Sequence, residues 1–132
     1  MGIKNTIEAE FDLEIVEDFL EHFEVMMDVI EPLILDLENS QNYINDVNEL
    51  FRMFHNIKSA TAYLQIHPIN RLAALVEDVL EDMRKESYLQ QQNTIDWLLK
   101  ISDQFQLFQD DFEFDRELSK IPFELLKIPD IN

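Results

Sequence analysis

Residues 50–84 read LFRMFHNIKSATAYLQIHPINRLAALVEDVLEDMR. Apolar residues recur there every three or four positions on both sides of His67 and Pro68, which is the spacing of the buried face of a helix. Proline fits the first turn of a helix but not its interior, so one helix ends before Pro68 and another begins there. The segment therefore predicts two successive amphipathic helices, over about residues 44–65 and 68–85.

The same spacing continues on both sides of this segment. Asp12 is a plausible N-cap of a long helix, whose apolar stripe runs from Leu13 to Leu37. Pro32 falls inside this helix and is expected to bend it or to remove one backbone hydrogen bond near Asp28. Asn39–Asn42 is the expected break before the next helix.

A fourth helix is predicted after a polar loop at residues 87–93. Thr94 is its expected cap, and its apolar stripe runs from Ile95 to Phe112. Amphipathic helices joined by short loops predict an all-α fold, an antiparallel up-down four-helix bundle over residues 1–112. Residues 113–132 are predicted as a C-terminal extension, either a short docking helix or a linker.

Composition excludes several classes of function. The chain has 132 residues, enough for one domain, with 28 Asp and Glu against 10 Lys and Arg and a net charge of −18. That charge repels nucleic acids and anionic membrane surfaces. The absence of cysteine excludes disulfides and thiolate sites, and the single glycine, Gly2, excludes glycine-rich nucleotide loops. No apolar run of 18 residues and no signal-peptide layout occur, so we expect a cytoplasmic protein without membrane insertion.

One face of the second helix points away from the core and carries a histidine. Winding the helix at 100° per residue places Asn48, Arg52, His55, Ser59 and Ala62 on that face. The small side chains at 59 and 62 leave the imidazole accessible to another protein. Phe51, in contrast, falls on the predicted buried stripe of the same helix.

The distribution of charge singles out the same histidine. Residues 1–38 contain twelve carboxylates and one cation, Lys4, whereas residues 50–76 contain no carboxylate and carry Arg52, Lys58 and Arg71. A carboxylate beside an incoming phosphoryl group would cost Coulomb energy, and Lys58 can offer a compact positive charge instead. The pattern favours phosphoryl chemistry at His55, against the alternative of an ordinary solvated histidine.

The sequence around His55 also resembles a known family. It is similar to histidine-containing phosphotransfer (HPt) domains, and in particular to the N-terminal phosphotransfer domain of chemotaxis-type histidine kinases. The resemblance rests on Phe51, Arg52, His55, Ile57, Lys58 and Ala60, and further along on Leu75, Val76, Glu77, Asp78 and Arg84.

The resemblance implies a role for each matching residue. His55 would be phosphorylated on a ring nitrogen, Lys58 would steady the phosphoryl group, and Glu77 would accept a hydrogen bond from the other ring nitrogen. A carboxylate there fixes the tautomer, although an ordinary solvated glutamate is the alternative for Glu77. The family usually has glycine where this chain has Ser59, which puts the choice of partner or the rate of transfer in question.

A phosphocarrier without an ATP site of its own, and hence not an enzyme in itself, is the function expected. Its partners would be the receiver domain of a response regulator, the catalytic domain of a histidine kinase, or both. We expect no cofactor on this chain, Mg²⁺ on the partner, and a monomer. The expected docking patch comprises Arg52, Ser59, Ala62, Tyr63 and Ile66.

Two other interpretations remain. The first is a helical protein–protein interaction module that is not phosphorylated, favoured by the acidic first helix, the proline-flanked tail and the missing glycine. The second is a metal site formed by His22, His55, His67 and carboxylates. It is disfavoured because no histidine pair has the i, i+4 spacing of a helical ligand pair, so no metal ligand is predicted.

Overall fold

The computed structural model describes residues 2–85 and 92–129, and this part of the chain is helical without strands. It contains five α-helices and a short 3₁₀ helix. Their bounds are Ile3–Glu10 (α1), Leu13–Asp36 (α2), Tyr43–Tyr63 (α3), His67–Arg84 (α4) and Gln92–Glu113 (α5), followed by the 3₁₀ helix Phe123–Leu126.

The helices α2 to α5 form the predicted antiparallel bundle. In it, α2 packs against α3 and α5, and α3 packs most extensively against α4. The turns at 37–42 and 64–66 are short, which forces the helices that they join to run in opposite directions. Because α3 and α4 share the largest helix–helix contact, a side chain on one is held at a fixed distance from the other.

Phenylalanine rings fill much of the space between α2, α3 and α5. Phe54 on α3 meets Phe105 on α5 edge to face, with ring centroids 5.2 Å apart, and Phe23 on α2 meets Phe112 in the same way at 5.4 Å. Such edge-to-face pairs add about 0.5–1.5 kcal/mol each to the burial of the rings. The core therefore fixes the three helices in one register.

The beginning and the course of α2 largely follow the prediction. The side chain of Asp12 accepts a hydrogen bond from the N–H of Glu14 at 2.9 Å, as expected of an N-cap. The helix continues through exposed Pro32, which has no N–H to donate to Asp28. Leu13, expected on the buried stripe, is exposed because it lies in the first turn, beyond the edge of the core.

Other expectations about helix boundaries were wrong. The helix α1 was not predicted; it packs against α5 and α2. The N–H of Ile3 donates to the carbonyl of Arg116 at 2.8 Å, a contact between the two ends of the chain. Thr94 does not cap α5, since that helix begins at Gln92. Most of the predicted loop at 87–93 lies outside the described residues.

The C-terminal extension does contain a short helical turn. The 3₁₀ helix at Phe123–Leu126 packs against α5, where the indole N–H of Trp97 donates to the carbonyl of Leu125 at 3.1 Å. Leu125 is buried as a result. None of the helices within residues 2–85 and 92–129 combines the length and apolarity that a bilayer crossing requires.

Candidate functional site

A well-defined turn holds α3 and α4 together next to the histidine. After α3 ends at Tyr63, Gln65 adopts a φ of +58°, and the N–H of Ile66 donates to the carbonyl of Thr61 at 2.9 Å. This is the Schellman arrangement, in which a left-handed residue closes the end of a helix. It reverses the chain within three residues, so that α4 runs back along α3 past His55.

Side-chain hydrogen bonds add to this connection. The amide of Asn70 on α4 donates to the carbonyl of Lys58 on α3 at 2.7 Å, and the hydroxyl of buried Thr61 donates to the carbonyl of Ile57 at 2.7 Å. Each such bond contributes about 1 kcal/mol to stability. The backbone beneath the predicted site is therefore fixed by both helices.

His55 and Glu77 meet across this pair of helices. Nδ1 of His55 lies 3.3 Å from Oε2 of Glu77, and the imidazole side chain is 51 % exposed whereas the carboxylate is only 14 % exposed. A carboxylate can only accept, so Nδ1 carries the proton and donates it in this hydrogen bond. The lone pair of the neutral ring is then on Nε2, free for a nucleophilic role.

Lys58 binds the other oxygen of the same carboxylate. Its Nζ lies 3.0 Å from Oε1 of Glu77, and its side chain is 34 % exposed. Glu77 thus joins two side chains of α3 from its position on α4. The structure brings His55, Lys58 and Glu77 together as expected from the sequence, with Lys58 paired to Glu77.

Phe51 and Arg84 form a layered contact on the other side of the histidine. The ring of Phe51 stacks parallel to the imidazole of His55, with centroids 6.2 Å apart, and the guanidinium of Arg84 lies 4.5 Å from the centroid of Phe51. Phe51 is half-buried, so its expected place on the buried stripe was only partly right. It instead covers one side of the imidazole.

An open cleft of about 300 Å³ lies at this layered contact. Its lining is formed by Asn48, Phe51, Arg52, His55 and Arg84. Arg52 forms an ion pair with Glu49, and Arg84 pairs with Glu81 at 3.1 Å, all on exposed surface. The cleft therefore brings one imidazole and two arginine side chains into the same lining.

Comparison with known proteins identifies the family. A family model described as the Hpt domain matches residues 14–113. The chain belongs to the Hpt domain family. Hpt domains are phosphocarrier modules of two-component signalling, which agrees with the class of function expected from the sequence.

Three relatives of this Hpt domain are two chemotaxis proteins and a sensor histidine kinase. It is 29 % identical over 90 residues to the chemotaxis protein CheA of Treponema pallidum (strain Nichols) and 28 % identical over 90 residues to CheA of Borreliella burgdorferi (strain B31), and each alignment covers 68 % of this chain. It is 36 % identical over 73 residues, 54 % of this chain, to the sensor histidine kinase CheAY of Helicobacter pylori (strain 26695). The aligned part spans about a tenth of each relative, at 11 %, 10 % and 9 %. No solved structure matches the chain.

Most of the residues expected to contact a partner of this Hpt domain are accessible. Arg52, Ser59, Ala62 and Tyr63 are exposed on or beside the face that carries His55. Ile66 was wrongly placed in this patch, because it is only 2 % exposed. The turn that closes α3 directs Ile66 into the core, as is usual for an apolar residue in this position of a Schellman turn.

A second, apolar cleft of the Hpt domain was not found by sequence reasoning. It has a volume of about 610 Å³ and lies between α2 and α3, with Ile15, Met26, Met53, Ala60 and Tyr63 in its wall and Arg52 at the edge that it shares with the smaller cleft. Sequence periodicity indicates which faces of α2 and α3 are apolar, and only the packing of the two helices shows that a gap remains between them. The position of Arg84 in the smaller cleft was not predicted either, although Arg84 lies two helical turns after Glu77 and hence on the same face of α4.

The three histidines of this Hpt domain lie apart from any metal-binding cluster in the described part of the chain. Within the described residues, no three His, Asp or Glu side chains are grouped in a way that could hold a metal ion. His22 bonds its own helix, with Nδ1 2.8 Å from the carbonyl oxygen of Asp18, and His67 is the exposed first residue of α4.

Proposed function

We propose that this Hpt domain carries a phosphoryl group on Nε2 of His55, acting as a monomer in the cytoplasm. Its partners would be the receiver domain of a response regulator, the catalytic domain of a histidine kinase, or both. The observation that carries the proposal is the hydrogen bond from Nδ1 of His55 to Glu77 on an imidazole that is half exposed. The hydrogen bond fixes the tautomer of His55, and the exposure of the imidazole leaves it accessible to a second protein.

The chemistry follows from that tautomer. The lone pair of Nε2 attacks phosphorus, a bond from nitrogen to phosphorus forms, and the bond from phosphorus to the oxygen of the donor breaks, so that the donor oxygen leaves with the electron pair. The proton on Nδ1 stays in place, and the positive charge that develops on the ring is stabilised by Glu77. The reverse sequence returns the phosphoryl group to an aspartate.

Lys58 fixes the geometry of this hydrogen bond. By binding Oε1 of Glu77 at 3.0 Å, it leaves Oε2 directed at the imidazole. The family resemblance also implies that Lys58 offsets part of the charge on an incoming phosphoryl group. Phosphoryl transfer depends mainly on alignment and on neutralisation of charge, and the fixed imidazole would supply the alignment.

The surroundings of His55 suit the docking of another protein. Ser59 and Ala62 are exposed and small, and Tyr63 is exposed and lines the apolar cleft between α2 and α3. Exposed apolar surface next to a reactive group is typical of a transient protein interface. Any Mg²⁺ required by an acyl-phosphate donor would be bound by the partner.

The test is phosphorylation by a labelled donor. A receiver domain phosphorylated on its aspartate is mixed with the wild-type protein and with His55→Gln, His22→Gln and His67→Gln. We expect an acid-labile, base-stable label that is lost only in His55→Gln, because His22 and His67 are exposed but lack a carboxylate partner in the described structure. Potassium phosphoramidate serves as a second donor that requires no docking surface.

Two outcomes would contradict the proposal. If neither donor labels the folded wild-type protein, the alternative of a non-phosphorylated interaction module gains support. If the label persists in His55→Gln and disappears in one of the other two variants, phosphorylation occurs on a different histidine. Circular dichroism confirms that each variant is folded.

A further inference from the structure

His55, Glu77 and Lys58 together offset only a small part of the charge on an incoming phosphoryl group. The imidazole is neutral in the proposed tautomer, and the negative Glu77 is matched by the positive Lys58 at 3.0 Å. This group of three side chains therefore has no net positive charge, whereas a phosphoryl group in transfer brings negative charge on three oxygens. Additional cations are needed near Nε2.

Two arginines line the same cleft as His55 and can supply such cations. Arg52 lies one helical turn before His55 on α3, and Arg84 reaches the same cleft from the C-terminal end of α4. The cleft has a volume of about 300 Å³, the share of about ten water molecules, which leaves room for a phosphoryl group and the atoms of a donor beside it.

Arg84 packs more closely against the protein than Arg52 does. Its guanidinium lies 4.5 Å from the ring centroid of Phe51, and its side chain is less exposed than that of Arg52, at 40 % against 63 %. A guanidinium over an aromatic ring loses less conformational freedom when it binds an anion, and its planar donors suit two phosphoryl oxygens at once. Phe51 in turn stacks on His55, so the arginine and the imidazole share one rigid support.

The nearby carboxylates do not prevent this role. Glu81 holds Arg84 at 3.1 Å and Glu49 pairs with Arg52, but Glu49 and Glu81 are exposed, at 46 % and 51 %. Exposed pairs of this kind contribute little and exchange readily with a stronger anion. Glu77, which faces the site from α4, is already bound by His55 and Lys58.

Resting on the proposed function, we infer that Arg84, supported by Phe51 and accompanied by Arg52, binds the oxygens of the phosphoryl group during its transfer to and from His55. In this assignment the cleft between Phe51, His55 and Arg84 is the side from which the phosphoryl group approaches Nε2. Lys58 acts from the opposite side, through Glu77. Arg84 is then a catalytic residue that belongs to α4 and not to the histidine-bearing helix.

Potassium phosphoramidate tests this inference without a partner protein. It donates its phosphoryl group to Nε2 of His55 while ammonia leaves, so the rate reports on the site alone. We expect Arg84→Gln to slow labelling of His55 about tenfold, and Arg84→Lys to recover part of the rate because it keeps the charge but not the planar group. The matched control is Lys85→Gln, which removes the neighbouring cation of α4, is not part of the cleft, and should change the rate less than twofold.

A second measurement separates contact from indirect structural effects. The ³¹P resonance of phosphorylated protein is followed across neutral pH, where the phosphoryl group takes up its last proton. We expect the midpoint of that titration to rise in Arg84→Gln and to stay at the wild-type value in Lys85→Gln, because a bound guanidinium favours the dianion. Equal rates and equal midpoints in the two variants, with the label still on His55, would overturn the inference and leave the proposed function intact. Loss of labelling from the wild-type protein would instead overturn the proposed function.

Discussion

Nδ1 of His55 lies 3.3 Å from Oε2 of Glu77, although 22 positions separate the two residues in the chain. The contact exists because the turn after Tyr63 returns α4 along α3, and it determines which nitrogen of the imidazole is free. It is also the contact whose removal gives the most direct prediction.

Replacing Glu77 by Gln should slow phosphorylation of His55 by about ten- to a hundredfold. The amide of glutamine can donate to Nδ1, which favours the wrong tautomer, and it does not stabilise the positive ring. The rate of labelling by phosphoramidate measures the lost stabilisation of the positive ring, and the ¹⁵N chemical shifts of the imidazole measure the change of tautomer. The control is Asp78→Asn, which changes the exposed residue next to Glu77 on α4. It should leave the labelling rate and the ¹⁵N chemical shifts at their wild-type values. An unchanged tautomer in Glu77→Gln would contradict the role assigned to this hydrogen bond.

Replacing Tyr63 by Ala should weaken transfer from a receiver domain but not from phosphoramidate. Tyr63 is 57 % exposed and lines the apolar cleft between α2 and α3, so it is available to a protein partner and does not touch the imidazole. We expect a loss of about tenfold in receiver-dependent labelling at low receiver concentration, the size typical of one aromatic interface residue. Leu107→Ala, an exposed apolar residue on α5, is the control. A parallel loss with both donors would show that Tyr63 acts on the site itself and not on docking.

Replacing Asp46 by Asn should stabilise the protein at neutral pH. Burial, the hydrogen bond with Asp36 and the charge of Asp36 together raise the pKa of Asp46 from its ordinary 3.8 to about 6. Since the folded state holds this proton more tightly than the unfolded state, the contribution of Asp46 to stability is greatest below pH 3.8 and is lost as the pH rises through about 6. The free energy of unfolding of Asp46→Asn at neutral pH should exceed that of the wild-type protein by at most about 3 kcal/mol.

Urea unfolding at several pH values measures this effect. The difference in the free energy of unfolding between Asp46→Asn and wild type should grow as the pH rises to about 6 and remain constant above it. Glu38→Gln removes an exposed carboxylate near the same turn and corrects for the general repulsion within an acidic protein. If the difference in the free energy of unfolding does not vary with pH, the pKa of Asp46 is not raised in the folded protein.

Replacing Gly2 by Ala should loosen α1 from the bundle. A Cβ at this position would overlap the backbone carbonyl of Asp115, whose side chain also accepts a hydrogen bond from the N–H of Asn5 at 3.0 Å. We expect a cost of about 1–3 kcal/mol, as for other overpacked sites, with faster hydrogen exchange confined to α1 and the end of α5. Asn5→Ala keeps the backbone donor and should have little effect. Unchanged hydrogen exchange in Gly2→Ala would show that Gly2 and Asp115 can move apart without loss of stability.

Much of this molecule follows from local patterns along the chain. Helical periodicity and the position of Pro68 predicted the helices that build the bundle, and Asp12 was correctly identified as a cap. The exposure of His55 followed from the same periodicity, because a helix fixes the direction of each side chain relative to its neighbours. Thr94 was wrongly predicted to cap α5. A threonine beside a helical pattern gives the same sequence signal whether it precedes the helix or lies in its first turn, and Thr94 lies in the first turn.

The contacts between helices required the folded structure. Ile66 was expected in the exposed docking patch, but the left-handed turn at Gln65 buries it. Periodicity placed Phe51 in the core, but Phe51 lies half-buried beside His55. Arg84 reaches the cleft of His55 only because the rotation and register of α4 on α3 bring it there. A one-dimensional pattern specifies which face of a helix is apolar, whereas the rotation and depth of packing between two helices depend on the summed shapes of many side chains. The exposure of His55 was thus predictable from the local sequence, whereas the side chains that surround it were set by packing.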